Sequence, residues 1–383
     1  MCGIAGIFHY ETVKPVDPRR VERMADALAH RGPDGSGVWT APGVGLGHRR
    51  LSVIDLEGSP QPMHSADGRA VIVFNGEIYN YRELRRELIQ DGAQFHTDGD
   101  TEVILAAWRK WGPDCLHRLE GMFVFALYDC DRRQLFLARD RLGVKPLYLA
   151  RLANPLLRRE IDPLAIEDYM TWGYVPDHRS VLKGVEKLAA GHFLLLEHGR
   201  TPEPQRQWWD VSFAEREKGG TRDLSAQLLH RMREGVGSRM VADVPLGAFL
   251  SGGVDSSSVV ALMSEASNSP VTTCSIGFDV ESVDETRYAR QVAELFATDH
   301  HERIVSADQF DAIDSIAAIF DEPFADASAL PTLRVCQLAR EHVTVALSGD
   351  GADEAFAGYR RQMFHAREEQ ARSVLPSALR QPL

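Results

Sequence analysis

Apolar and polar positions alternate along this chain with two periods, and the two halves combine them differently. Val21, Met24, Ala25 and Leu28 fall on one face of a short amphipathic helix over 21–30. The glycine- and proline-rich string His30-Arg31-Gly32-Pro33-Asp34-Gly35 ends it. Residues 45–54 read as a strand, and Val71-Ile72-Val73-Phe74 as another that stops at Asn75-Gly76-Glu77. Helical patterns follow over 81–90 and from 98–102 through Trp111, and apolar segments at 122–128 and 135–138 add two strands. The first 150 residues therefore predict a layered, strand-rich α/β domain.

The second half alternates. A helix is predicted over 224–240, then a buried strand over 244–250, the loop Ser251-Gly252-Gly253-Val254-Asp255-Ser256-Ser257, and a helix through Met263. A strand over 271–276, a helix over 285–296 and a short strand over 303–305 follow. Next come a helix over 332–341, a strand over 343–347, and Ser348-Gly349-Asp350-Gly351-Ala352-Asp353-Glu354 opening a further helix. Strands alternating with helices predict a doubly wound parallel sheet. Ligands of such sheets sit at the carboxyl ends of the strands, where the Ser251 and Ser348 loops fall.

At 383 residues the chain has room for two cores. The net charge of −12 argues against non-specific nucleic-acid binding. No apolar run approaches the roughly 18 residues that span a bilayer, and the apolar start Ile4–Phe8 lacks the basic flank of a signal peptide. Cys at position 2 in place of Gly excludes N-myristoylation. The five cysteines (2, 115, 130, 274 and 336) are scattered without metal-type spacing, so a reduced, cytoplasmic protein is expected.

Cys2 carries the first candidate chemistry. With Met1 removed it bears a thiol and a free α-amine, whose ordinary pKa of about 7.7–8.0 suits a neighbouring base. One residue then supplies nucleophile and base. Arg49 has the planar fork that grips a carboxylate, although alone it reads as a surface residue. Asn75-Gly76 can direct a side-chain amide and a backbone N–H at one oxygen, or form a hairpin turn. Glu77 and Asp100 can bind an ammonium group, or Asp100 can cap the helix that follows it. At Ser251, small residues after a buried strand let backbone N–H groups approach an anion at a helix N-terminus. No lysine follows the glycines, so the Walker pattern is absent. Asp255 among phosphates implies a divalent cation, Mg²⁺.

Taken together, Cys2-Gly-Ile, Arg31-Gly-Pro-Asp-Gly, His48-Arg-Arg-Leu-Ser, Phe74-Asn-Gly-Glu-Ile-Tyr-Asn, Asp100-Thr-Glu and Arg139-Asp-Arg-Leu-Gly-Val-Lys-Pro-Leu-Tyr resemble the class II, N-terminal-nucleophile glutamine amidotransferases in order and spacing. The resemblance implies a four-layer α/β/β/α sandwich with Cys2 as nucleophile and Asn75 with Gly76 as oxyanion hole. Arg49, Leu51, Val53, Asn75, Gly76, Glu77 and Asp100 would hold glutamine. Arg49 would take its α-carboxylate, and Glu77 and Asp100 its α-amine.

The Ser251–Ser256 string is similar to the pyrophosphate loop of the ATP-pyrophosphatase group. It implies ATP contacts at Leu250, Ser251, Gly252, Gly253, Asp255, Ser256, Ile276, Ser348 and Gly349. Asp350 and Asp353 would face the adenylated intermediate, with Asp255 and Asp353 as Mg²⁺ ligands. Nearly the whole chain thus resembles the glutamine-hydrolysing asparagine synthase family. The implied layout is an amidotransferase domain over 2–152, a connector over 153–215 and a synthetase domain over 216–383. The Gly173-Tyr-Val-Pro-Asp and Asp140-Arg-Leu-Gly strings look most like the branch from bacterial exopolysaccharide and exosortase loci.

The implied reaction takes ammonia from glutamine, adenylates aspartate or another carboxylate acceptor with ATP and Mg²⁺, and forms an amide with release of AMP and pyrophosphate. A second copy of the chain is a candidate partner, giving a homodimer; nucleic acid and membrane are not expected. Two family segments find no match. One is a Phe-Ala-Ser-Glu-Leu-Lys-like stretch near the join at 152–159. The other is the long helical segment, with a phosphate-contacting lysine, that normally follows the second signature. An incomplete synthetase domain is therefore expected, and the alternative function is a glutaminase or regulatory remnant without amide synthesis.

Overall fold

A computed structural model describes residues 1–151, 159–214, 216–280, 282, 284–306 and 312–374. The chain forms two compact units. The first takes Met1–Arg231, Val241–Val244 and Asp311–Leu330, and the second takes the rest. The unmatched join at 152–158 lies outside the described residues.

In the first unit, β1 (Gly3–Phe8), α1 (Pro18–Asp26), β2 (Gly35–Ala41) and β3 (Val44–Arg50) come first, followed by β4 (Met63–His64) and β5 (Ala70–Ile78). Then come α2 (Tyr81–Gln90), α3 (Thr101–Trp111), β6 (Gly121–Asp129), β7 (Gln134–Arg139) and β8 (Tyr148–Ala150). After the join stand α4 (Pro163–Trp172), β9 (Val185–Lys187), β10 (His192–Glu197) and β11 (Arg206–Gln207). A three-stranded antiparallel sheet has the order β1-β3-β2, and a six-stranded one the order β11-β10-β7-β6-β5-β4. Two strands from the stretch expected as connector, β10 and β11, thus extend the large sheet.

The layering follows from side-chain size along β3. Val44 and Leu46 point into a buried core with Val71, Val73, Ala126, Tyr128, Leu135 and Leu137 of the large sheet. Gly45 and Gly47 alternate with them and face α1. A Cβ on either would stand 2.7 or 2.9 Å from Val21 side-chain carbons, so only glycine lets the helix lie this close. On the far face of the large sheet, Phe74, Phe123, Phe125 and Phe136 pack against Leu84, Leu88, Ile104 and Trp108 of α2 and α3. The order is helix, sheet, sheet, helix, the α/β/β/α sandwich that the sequence resemblance implied.

Several predicted boundaries moved, two of them beside the candidate site. The strand predicted over 45–54 stops at Arg50, whose guanidinium nitrogens donate to the carbonyls of Ile54, Asp55 and Leu56 at 3.2, 2.7 and 2.7 Å and curl the chain around it. The strand predicted to stop at Phe74 runs on through Asn75-Gly76-Glu77 to Ile78, paired with Gly121–Val124 of β6.

In the second unit, α5 (Thr221–Arg239, from Met232), β12 (Leu246–Phe249), α6 (Val254–Ala266), β13 (Thr272–Phe278), α7 (Thr286–Leu295) and β14 (Asp299–Val305) alternate as expected. After α8 (Ile313–Ile319), which belongs to the first unit, come α9 (Ala329–Arg340), β15 (Val345–Leu347), α10 (Ala352–Phe356) and α11 (Arg360–Val374). The sheet is parallel throughout, in the order β14-β13-β12-β15. Residues of α5, α6 and α7 share one core with Ala248 and Leu250, while Leu338 and Ala339 of α9 share another with Cys274. Helices therefore cover both faces, as in a doubly wound sheet.

The Asp321-Glu322-Pro323-Phe324 string lies late in the chain but in the first unit. There Glu322 meets the Lys187 ammonium at 2.6 Å and accepts the Val181 N–H at 3.1 Å, while Lys187 also donates to the Val175 carbonyl at 2.9 Å. This nearly buried ion pair gives the string a structural role that the sequence did not reveal. Among the described residues, no helix is long and apolar enough to cross a membrane.

Candidate active site

Cys2 sits just before β1, whose pairing with β3 aligns Gly3 with Arg49. Its Sγ accepts the Leu51 N–H at 3.5 Å, on the segment that Arg50 curls. Burial pushes the thiol above its ordinary value; the Leu51 hydrogen bond, the N-terminal charge and Arg50 pull it down, and Asp100 pushes it up. That coupling places the Asp100 carboxylate in the same electrostatic neighbourhood as the sulfur.

The Arg31–Asp34 loop closes over this end of β3. A Cβ on Gly32 would stand 2.4 Å from the Arg49 carbonyl carbon. Asp34 accepts the Ser52 N–H at 2.9 Å, and Arg31 Nε donates to the Cys2 carbonyl at 3.2 Å. Arg31 thus holds the backbone of the candidate nucleophile. Its motif is visible in the sequence, but this long-range role of the side chain is not.

Arg49 lies on the α1 side of β3 with Gly45 and Gly47, where it engages Asp26 through Nη2, and its buried Nε has no partner among the described residues. Leu51 lies against the sulfur, as already described, and the Val53 carbonyl accepts the Asp243 N–H at 2.9 Å.

Asn75 is 5% exposed and Gly76 follows it inside β5. A Cβ on Gly76 would stand 2.2 Å from the Met122 carbonyl oxygen, so glycine is required by the close approach of β6 and not by a turn. Buried His48 reaches from β3 to the Phe74 carbonyl at 3.0 Å, tying the two sheets together one residue before Asn75. Burial drops its pKa to about 4, so it is a neutral tether at neutral pH. A histidine inside an apolar strand is the only sequence signal for this role.

Asp100 stands at the start of α3, but its side chain makes no capping bond there. It turns to the Ile78 N–H, which it accepts at 2.9 Å just beyond Glu77. Burial pushes its pKa up to about 6, against the pull of its hydrogen bonds. The helix-cap reading is thereby corrected: the carboxylate belongs to the end of β5.

In the second unit, the strand order reverses between β12 and β15, so the crevice beyond their carboxyl ends is a switch point. Leu250 follows β12 in the buried core, and the Ser251 loop comes next. Ser256 Oγ accepts the Ser251 N–H at 3.2 Å and contacts Ser251 Oγ at 2.9 Å. Gly252 has φ +82, and a Cβ there would stand 2.5 Å from the Ala289 nitrogen. Gly253 leads directly into α6, and Asp255 lies in its first turn. The Ser348 loop leaves β15 beside it: a Cβ on Gly349 would stand 2.9 Å from Asp255 Cβ and from the Ser256 nitrogen.

Ser348 Oγ donates to Asp350 at 3.1 Å, Asp353 lies in the first turn of α10, and Ile276 lies in β13 opposite Arg303. The two loops are in contact with each other. Among the described residues, no group of three or more histidines, cysteines or carboxylates is arranged to hold a metal ion.

Comparison with known proteins agrees with this division. The glutamine amidotransferase domain family matches residues 1–209, and the asparagine synthase family matches residues 227–383. A putative glutamine-hydrolysing asparagine synthetase of Mycobacterium tuberculosis is 39% identical over 88% of this chain and 56% of its own length. Asparagine synthetase 1 of Bacillus subtilis is 35% identical over 94% of this chain and 59% of its own. The chain thus spans a little over half the length of these relatives. A putative asparagine synthetase 2 of Methanocaldococcus jannaschii is 37% identical, over 94% of this chain and 76% of its own. With both domain families matched in sequence and this last relative covered over three quarters of its length, the chain belongs to the glutamine-hydrolysing asparagine synthetase family.

Proposed function

We propose that Cys2, freed of Met1, releases ammonia from glutamine, and that the second unit adenylates a carboxylate for the ammonia to attack. The observation that supports this reading best is the Cys2 sulfur just before β1, which accepts the Leu51 N–H at 3.5 Å. Amidotransferase, connector and synthetase segments are taken as 2–152, 153–215 and 216–383.

In the proposed first reaction the thiol proton passes to the α-amine of Cys2, and the sulfur attacks the side-chain amide carbon. Asn75 and the Gly76 N–H stabilise the oxyanion. The α-ammonium returns its proton to the leaving nitrogen, ammonia departs, and water hydrolyses the γ-glutamyl thioester to glutamate. Arg49 takes the glutamine α-carboxylate, and Glu77 and Asp100 its α-ammonium.

In the proposed second reaction the Ser251 and Ser348 loops hold ATP, whose bound Mg²⁺ neutralises phosphate charge. The acceptor carboxylate, aspartate or a related acid, attacks the α-phosphate and expels pyrophosphate. Ammonia then displaces AMP beside Asp350 and Asp353. A homodimer working in the cytoplasm is the proposed setting. The reading is tested by supplying glutamine or ammonia with ATP and a panel of acids, and counting amide, AMP and pyrophosphate. Equimolar amide, AMP and pyrophosphate with one acid is expected; ATP turnover with no amide from any acid contradicts the synthetase part.

Two further outcomes follow. Asp100 must be ionised to hold an ammonium, and its pKa of about 6 is the folded, ligand-free value. The apparent KM for glutamine should be level above pH 6 and rise as pH falls through it, by about tenfold per unit well below. Asp100→Asn should hold KM high at every pH, as steady-state kinetics will show. Asp255→Asn should weaken Mg·ATP binding in calorimetry by about tenfold or more while glutamine hydrolysis is unchanged, because it removes a charged ligand.

A further inference from the structure

Lys145 lies in the loop after β7, and the backbone of that loop is fixed from two sides. The Asp140 carboxylate accepts the N–H groups of Leu142, Val144 and Lys145 at 3.1, 2.9 and 3.0 Å, and that of Phe123 at 3.1 Å. Arg139 donates to the carbonyls of Lys145, Gly143 and Leu188 at 2.8, 2.7 and 2.6 Å. Lys145 itself is 5% exposed. Its ammonium points at the start of the chain, 3.0 Å from Met1 Sδ. A thioether is a weak acceptor and a poor partner for a buried cation.

We propose that Lys145 is a positioning residue for the Cys2 nucleophile: with Met1 gone, its ammonium stands at the amino-terminal end of β1 and stabilises the Cys2 sulfur as a thiolate. The proposal rests on the amidotransferase reading of Cys2. The charged groups facing Lys145 are Arg31, Asp140, Glu77 and Cys2 itself, and those facing Cys2 are the N-terminal ammonium, Arg50 and Asp100. Burial lowers Lys145 from its ordinary value and Arg31 acts the same way, while Asp140, Glu77 and Cys2 oppose them. In the proton transfer from sulfur to α-amine, the S–H bond breaks and an N–H bond forms. A fixed cation nearer the sulfur than the α-amine favours the thiolate more than it opposes the new ammonium, and so offsets part of the burial that disfavours the charged sulfur.

The test uses the full chain, with removal of Met1 verified by intact mass. Alkylation of Cys2 by iodoacetamide is followed against pH on the amino-terminal peptide, without glutamine. Lys145→Met should raise the midpoint by about one pH unit or more, and Lys145→Arg should restore it. The acid limb of kcat/KM for glutamine should move in the same direction. An unchanged midpoint in Lys145→Met overturns the proposal; should that variant unfold, an unchanged midpoint in Lys145→Gln does the same. A wild type that hydrolyses no glutamine but shows the midpoint shift would sink the amidotransferase reading and leave the role of Lys145 standing. Glutamine hydrolysis with an unmoved midpoint would sink the role of Lys145 alone.

Discussion

Cys2→Ala should abolish glutamine hydrolysis while amide synthesis from added ammonia, where the wild type shows it, continues. The substitution removes the nucleophile and leaves the α-amine, so no acyl intermediate forms. It deletes one half-buried sulfur, whose nearest hydrogen bond is the 3.5 Å contact from the Leu51 N–H. Neither β1–β3 pairing nor the α1 packing on Gly45 and Gly47 depends on that atom. The loss should therefore appear in activity and not in the melting curve. Ammonia release at the wild-type rate would mean that another group performs the chemistry.

Asn75→Ala should lower kcat for glutamine by about 10²–10³, with KM changed little. The amide of Asn75 is proposed to meet an oxygen that becomes an anion only after attack, so its loss is felt in the transition state. The main chain holds the position through its pairing with Val124. Adjacent Gly76 keeps its N–H in either variant, which sets a floor under the residual rate. An increase in KM at unchanged kcat would place Asn75 in substrate binding and leave the oxyanion to another donor.

These two positions also show where sequence reasoning reached and where it stopped. Local periodicity placed α2 within the residues that form it, and the alternation of the second half gave the parallel sheet. The strings around Cys2, Asn75 and Ser251 fell in segments that fold into the two candidate sites. Asn75-Gly76, however, reads locally as a turn. What makes it strand is the β6 backbone, whose Met122 carbonyl occupies the space a side chain at Gly76 would need. That contact joins residues far apart in the chain, and no window of sequence contains it.

Asp100 was ambiguous for the same reason. A carboxylate before a helix is a capping signal, yet its partner is the Ile78 N–H on another element. Arg31, His48 and Glu322 acquire their roles from the Cys2 carbonyl, the Phe74 carbonyl and Lys187, each a long-range contact. Gly45 and Gly47 were visible as glycines, but only the position of Val21 explains them. The residue types of the candidate site were legible; the contacts that hold it in place were not.

The most direct test of the account is to trap the enzyme during turnover. The protein is mixed with glutamine, quenched in acid and digested, and the mass of its amino-terminal peptide is measured. A peptide that begins at Cys2 and carries one glutamyl group on sulfur is expected, absent from the Cys2→Ala protein. An amino-terminal peptide that retains Met1 and carries no glutamyl group, from protein that is releasing ammonia, would contradict it.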